Sequence, residues 1–518
     1  MTTRIYCDRS RYETAQSCLR RRFYEYHFGG MGITSARKPL PLAVGGSVHV
    51  GLAELLRWGV AGSDPHHGQH MEDKAVAAAL ADFSQHENAI DVDTGEIASR
   101  ATLPADAPAL SEMDAYLYRE QSALVEGMVR AYARRRLRPL LEQFEVLEVE
   151  REGEWLLSQW AEDEYVPAAD ASHMVPRELW FMSRPDALLR ERESNQLYLL
   201  SFKTAASWDV RKARDAEHDM QGLSEGIEIE RRLGHAWTAL HNEKVMDRGD
   251  LTMEVIKAYN LGTATANYLF ALDAPPRILA VRYEYLLKGE RWKDKELSAR
   301  FGCEMRSQKS HLIRAYFAHS VPQRGEAGYK IGDTCWSWEY TREDGRESKL
   351  AWQNWDSRAV WEHGTVKAWI DKLDDAAPTM SGEDSTVGME PRLLGYKCDA
   401  QAMGVTREHP LDAIFIPPVT VYRSEDDLRD LVDQMEASER RIAEGVAAVR
   451  EAEATRDAGE IRHALNVHFP MSRRACEYPS TCAYSKVCYG GEDIRRDPVG
   501  SGLYKIRQAN HPQEVSNG

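Results

Sequence analysis

Two apolar runs joined by a short polar stretch dominate the reading of this chain. They are Arg184-Pro185-Asp186-Ala187-Leu188-Leu189 and Leu197-Tyr198-Leu199-Leu200-Ser201-Phe202-Lys203-Thr204, and together they read as a β-hairpin. With the turn centred on Ser194-Asn195, Glu193 faces Gln196 and, counting outward, Asp186 falls directly opposite Lys203. Ser201 then shares their face and Phe202 points away. A carboxylate beside a lysine on paired strands suits metal-dependent phosphodiester chemistry, although such a pair alone is more often a surface ion pair.

The length of 518 residues leaves room for roughly three domains of about 150 residues. No apolar run approaches the roughly 18 residues of a membrane span, and Met1 to Arg11 lacks the core of a secretory signal, so the expected compartment is the cytoplasm, with no membrane partner. The net charge of -16 argues against a protein that coats nucleic acid, and confines any nucleic-acid path to local basic patches such as Arg20-Arg21-Arg22 or Arg134-Arg135-Arg136.

Eight cysteines are too few for a disulfide scaffold in a chain of this size, and three of them crowd the C-terminal region. Cys476, Cys482 and Cys488 follow a C-x5-C-x5-C spacing in a segment rich in turn formers. A fourth ligand for an iron-sulfur site is available from Cys18, with Cys7 or His468 as lesser candidates, while a zinc knuckle or reduced buried thiols are the alternatives. Cys303, Cys335 and Cys398 have no such company. His66, His67 and His70 read as loop histidines without a function.

Along the chain, periodicity predicts a helix over 12–28 and an amphipathic helix over 46–58 capped by Ser47, with His49 in its first turn. An irregular insertion (61–115) precedes a helix over 116–143 and a strand over 144–150. After the hairpin come a helix from Asp215 to Leu233 closed by Gly234, and a strand over 277–287. The order is helix, strand, strand, strand, helix, strand. Six tryptophans between Trp336 and Trp369 mark a second insertion within 291–420, read as a small core rather than as a base-stacking platform, with an acidic linker after it. A charged helix from Glu425 leads into the cysteine segment (421–495), and 496–518 read as a loose tail. There is no internal repeat, no helicase P-loop and no dinucleotide fingerprint.

Six separated matches, in order, resemble the PD-(D/E)XK nuclease superfamily, in particular its RecB-type branch with an iron-sulfur cluster, similar to the CRISPR-adaptation exonucleases. They are Cys18 followed by basic and aromatic residues, Gly45-x-x-x-His49, Pro185-Asp186, Lys203, Gln221, and the trio Cys476, Cys482 and Cys488. The resemblance implies an α/β restriction-endonuclease-like core, a mixed central sheet flanked by helices within 116–290, joined to N-terminal helices (1–60) and the cysteine segment. It implies Mg2+ or Mn2+ on His49, Asp186 and the carbonyl of Phe202, with Lys203 beside the attacking water and Gln221 holding Lys203. It also implies a 4Fe-4S cluster on Cys18, Cys476, Cys482 and Cys488, acting as a staple between the chain ends.

One departure bears on catalysis. The family carries Asp or Glu two residues before the lysine, and here that position is Ser201. Related restriction enzymes with this serine take the acid from the following helix, which makes Glu217, one helical turn before Gln221 and two before Glu225, the candidate catalytic and metal-binding replacement, with Glu150 as second choice. The expected activity is a DNA exonuclease or end-processing nuclease acting on single strands or DNA ends, served by a helicase or recombination partner. The alternatives are a nuclease-fold DNA-binding scaffold whose chemistry lapsed through Ser201, and an iron-sulfur redox protein. A phage or mobile element is a natural home for such a chain by analogy.

Overall fold

The computed structural model describes residues 3–35, 37–60, 68–85, 90–91, 96–98, 112–166, 171–205, 210–242, 249, 251–287, 336–341, 347–352, 415–476 and 481–508. In chain order its main elements are β1 (Thr3–Cys7), α1 (Arg9–Ser17), α2 (Leu19–Tyr26), α3 (Leu40–Val60), α4 (Gly68–Ser84), α5 (Glu112–Tyr132), β2 (Phe144–Val149), β3 (Gly153–Val166), β4 (Ala171–Ser183), β5 (Ala187–Glu191), β6 (Leu197–Ala205), α6 (Val210–Glu217), α7 (Met220–Asn242), β7 (Ile278–Leu287), β8 (Val419–Tyr422), α8 (Glu425–Thr455) and α9 (Ala458–His468).

A mixed five-stranded sheet runs in the order β8-β7-β6-β5-β2. Only β6 and β7 are parallel, and the other neighbours are antiparallel. Leu197 to Phe202 are all buried, as a central strand covered on both faces requires. On one face α7 contributes Ile229 and Leu233 to a core with Leu199, Val281 and Tyr283. A Cβ at Gly222 would stand 2.6 Å from Val281 Cγ2, so α7 approaches the sheet closely there. On the other face the Phe202 ring packs edge-on to Tyr132 at the end of α5, with centroids 5.2 Å apart. The α/β class, with helices on both faces of a mixed sheet, follows directly.

A second sheet, β1-β4-β3, is built from the long β3–β4 hairpin with β1 parallel to β4. Its Cys7, Leu179 and Phe181, with Tyr12 of α1, share a core with Leu431 and Met435 of α8. A third core joins Phe23 and Tyr24 of α2 to Ile442, Val449, Phe469, Tyr484 and Tyr504. The first two helices and the C-terminal helices therefore share one core. The tail is not loose over its first part. Tyr504–Ile506 pairs antiparallel with Ile33–Ser35, and Arg507 N donates to Gly32 O at 3.0 Å.

Several boundaries differ from the sequence expectations for local reasons. The helix over 12–28 is two helices broken at Cys18, the extended residue between them. The helix carrying His49 starts at Leu40, so Ser47 lies inside it, buried, its hydroxyl donating to Asp82 Oδ2 at 2.6 Å rather than capping. The 61–115 insertion contains α4, whose Ala75 and Ala79 are fully buried. Gly234 lies within α7, which continues to Asn242. In the tryptophan-rich region, Trp336–Thr341 and Glu347–Trp352 pair as a hairpin with Trp336 opposite Trp352, while Trp355, Trp361 and Trp369 lie outside the described residues. Among the described residues no helix is long and apolar enough to cross a membrane.

Candidate active site

The hairpin forms with a register different from the expected one. Leu200 pairs with Ala187 and Leu197 with Arg190, so Asp186 falls across from Ser201 and not Lys203. A four-residue turn causes the shift. Glu191 N donates to Gln196 O at 2.9 Å, and Asn195 adopts a left-handed φ of 58°. The displacement is two residues, one pleat repeat, so Asp186, Ser201 and Lys203 keep to one face. Asp186 Oδ2 accepts the Phe202 N–H at 2.6 Å, which ties the carboxylate to β6.

Two further elements deliver ligands to Asp186. α3 crosses β6 at Gly45, where a Cβ would stand 2.8 Å from Thr204 Oγ1. One turn on, His49 Nδ1 lies 3.1 Å from Asp186 Oδ1. Glu150 follows β2 with a φ of 47°, a conformation uncommon for a side-chain-bearing residue, and its N–H donates to Asp186 O at 3.1 Å. One ligand atom each from His49, Glu150 and Asp186 lie within 4.8 Å of one another.

These charges bear on one another. Burial pushes the Glu150 carboxyl up to about 7, and the negative Asp186 adds to it. Burial opposes the charged form of Asp186 too, but the imidazole of His49 and the Phe202 N–H outweigh it and hold that carboxyl below its ordinary value. His49 is raised because Asp186 overrides its desolvation. A mostly buried imidazole and two carboxylates at this spacing form a donor set that suits Mn2+ or Mg2+.

Lys203 stands beside this group, held from α7. Its Nζ donates to Gln221 Oε1, lies 3.1 Å from Asp219 Oδ2, and sits 5.7 Å from the centre of the Tyr283 ring. Gln221 Nε2 donates to Glu225 Oε1 at 2.8 Å. Burial pushes Glu225 up to about 8, with the charge of Asp186 adding to it. Glu225 Oε2 and Ser201 Oγ are buried with no hydrogen-bond partner.

Glu217 does not reach the site. α6 ends there, Glu217 is exposed, and its carbonyl accepts Arg423 NH1 at 2.6 Å. The break at His218-Asp219 puts Glu217 and Gln221 on different helices, so their i, i+4 spacing no longer means a shared face. Glu150 supplies the second carboxylate instead. Asp219 and Arg9, neither singled out by motif spacing, also reach the lysine and its glutamine. Asp219 had a readable signal, an acidic residue just before the first turn of α7, where its Oδ1 accepts Gln221 N at 2.9 Å. Phe202 is buried between Tyr132 and His49.

Cys18 closes α1 at its other end, and charge on Cys18, Cys476 and Cys482 bears on Cys488, but among the described residues these thiols do not form a group within 4.8 Å as His49, Glu150 and Asp186 do. Cys18 Sγ accepts Ser472 N at 3.4 Å, and Cys476 Sγ donates to Ser472 O at 3.5 Å. Cys482 N donates to Cys476 O at 2.9 Å, and Cys482 Sγ accepts Tyr484 N at 3.4 Å. Burial pushes Cys488 up to about 11, against the pull of Arg20, and charge on Cys482, Cys18 and Cys476 pushes the same way. Cys482 is likewise raised, first by burial and further by Cys18 and Cys476, against Tyr484 N–H and Arg21. Cys7 is elsewhere, fully buried with Sγ 3.5 Å from Glu439 Oε1. His468 ends α9 against Gly445, and Cys303, Cys335 and Cys398 lie outside the described residues.

No family model matches the chain, and no curated protein matches it in sequence.

Proposed function

We propose that the chain is a metal-dependent deoxyribonuclease of the PD-(D/E)XK type, acting on single-stranded DNA or DNA ends, with a structural 4Fe-4S cluster. The observation that carries this reading is the meeting of His49, Glu150 and Asp186 within 4.8 Å, next to a lysine held by two side chains. The mixed sheet with helices on both faces agrees with the core that the resemblance implies.

His49, Glu150 and Asp186 would hold the cation, which supplies a water of lowered pKa and neutralises charge on the phosphate. Asp219 and Gln221 take two of the three N–H donors of Lys203, leaving the third for the attacking water or a phosphate oxygen. The ammonium stabilises charge that builds on the phosphorus-bound oxygens. Arg184, half exposed and 3.2 Å from Glu150 Oε2, adds local positive charge for the DNA backbone within an acidic chain. Because Glu150 restores a second carboxylate, the serine at 201 gives no reason to favour a lapsed scaffold.

The cluster reading rests on the spacing of the cysteines and on the polar groups around two of them. Backbone N–H groups donate to Cys18 and Cys482, and the guanidiniums of Arg20 and Arg21 offset anionic charge near Cys488 and Cys482. The test is cleavage of end-labelled single- and double-stranded DNA by anaerobically purified protein with Mn2+ or Mg2+, beside Lys203→Ala. Cleavage that requires metal and is lost in the variant supports the nuclease. DNA binding without cleavage by cluster-loaded protein would sink it in favour of the scaffold.

A further inference from the structure

Gln221 Oε1 accepts hydrogen bonds from two cations, Lys203 Nζ and Arg9 NH1. The amide cannot flip without turning its own N–H donors toward both cations and away from Glu225 Oε1, which now accepts Nε2 at 2.8 Å. Arg9 comes from a different part of the chain and is presented by a short helix pinned at both ends. Asp8 caps α1, its Oδ1 accepting Arg11 N at 2.8 Å; Tyr12 is buried beneath it; and Cys18 closes it with its N–H on Thr14 O at 2.9 Å. Arg9 also lies 3.4 Å from Glu13 Oε2, an i, i+4 pair that by itself would be an ordinary half-exposed ion pair. The shared amide oxygen sets it apart, because it puts Arg9 in direct contact with the side chain that holds Lys203.

Resting on the nuclease reading above, we infer that Arg9 is a positioning residue: it locks the Gln221 amide and thereby fixes the direction of the Lys203 ammonium. It acts through Gln221 and not on DNA. Losing it removes one of the three hydrogen bonds on the amide and lets Gln221 and Lys203 shift together, so the reacting geometry loosens while metal and DNA affinity stay intact. A misplacement approaching 1 Å costs a reaction up to about 100-fold.

The test is a double-variant cycle with Arg9→Gln, Gln221→Ala and the pair, assayed for Mn2+-dependent cleavage beside wild type, with DNA affinity measured against salt in Ca2+ and the brown absorbance and melting temperature as checks on folding. Arg9→Gln is expected to lower kcat about 10- to 100-fold with KM and Mn2+ affinity unchanged. Gln221→Ala should fall to a similar level, and the pair should be no worse than Gln221→Ala alone. Unchanged kcat in Arg9→Gln, or losses that multiply in the pair, would overturn the inference. So would weaker DNA binding with a salt slope reduced by about one, which marks a direct phosphate contact. A wild type that fails to cleave under the same conditions refutes the nuclease reading itself, and the inference with it, so the two failures are told apart.

Discussion

Gly45→Ala adds one methyl group where α3 crosses β6, and that methyl would lie 2.8 Å from Thr204 Oγ1. This is about 0.6 Å short of ordinary contact, so helix or strand must give. Thr204 is β-branched and stiff at χ1, and only one of its rotamers puts a hydrogen at that spot. Overpacking of this kind costs about 1–3 kcal/mol, while alanine in a helix interior returns about 1 kcal/mol relative to glycine. Net stability should therefore change by no more than about 2 kcal/mol. The effect on the site should be larger. His49 sits one turn along the same helix, 3.1 Å from Asp186, and a helix lifted by several tenths of an ångström carries the imidazole out of reach of a shared cation. The expected result is Mn2+ affinity reduced about 10-fold or more, read by calorimetry, with the melting temperature lowered by no more than about 5 °C. Thr204→Ala removes the obstructing oxygen and leaves a Cβ at 4.0 Å, so the double variant should recover affinity. An unaltered affinity in Gly45→Ala, or a double variant no better than the single, would refute the close-approach account.

Glu150→Gln should weaken Mn2+ binding at least about 10-fold and abolish cleavage, whereas Glu217→Gln should leave both at wild-type levels; the reverse pattern in calorimetry and DNA cleavage would restore Glu217 as ligand. Cys482→Ser should lose the brown absorbance and melt on the order of 5–10 °C lower by circular dichroism, since a link from Cys18 to Cys476 closes a loop of nearly the whole chain; equal absorbance and stability would discard the staple. His27 has its Nε2 sealed from water, and burial, followed by Arg22, Arg11, Arg450 and Arg507, holds its pKa well below the ordinary value. The unfolded chain then binds the extra proton, so this contribution is intact above about pH 6.5 and is lost as pH falls toward the folded-state value, by at most about 1.4 kcal/mol per pH unit. Denaturant titrations from pH 7.5 to 5.5 should show a smaller loss in His27→Phe than in wild type, and equal slopes would contradict it.

Local chemistry alone determined much of this protein. The apolar run Leu197 to Phe202 specified a buried strand, the turn residues after Leu189 specified a hairpin, and the helix–strand order around them specified an α/β core. The spacing of Cys476, Cys482 and Cys488 singled out thiols whose charges bear on one another and on Cys18, but among the described residues they form no group as close as His49, Glu150 and Asp186. Asp186, His49, Lys203 and Gln221 were legible too, because each belongs to a short motif. Only the tertiary structure decided which second carboxylate joins them. Glu217 looked right on a continuous helix, but two intervening residues broke that helix, and helical spacing carries no meaning across a break. Glu150 reaches Asp186 through a left-handed backbone turn at a strand end, and Arg9 reaches Gln221 across 212 positions of sequence. Neither contact has a periodic signature, since both depend on how separate elements pack and not on any local propensity. The same holds for the tail, whose Tyr504–Ile506 strand exists because Ile33–Ser35 offers it an edge.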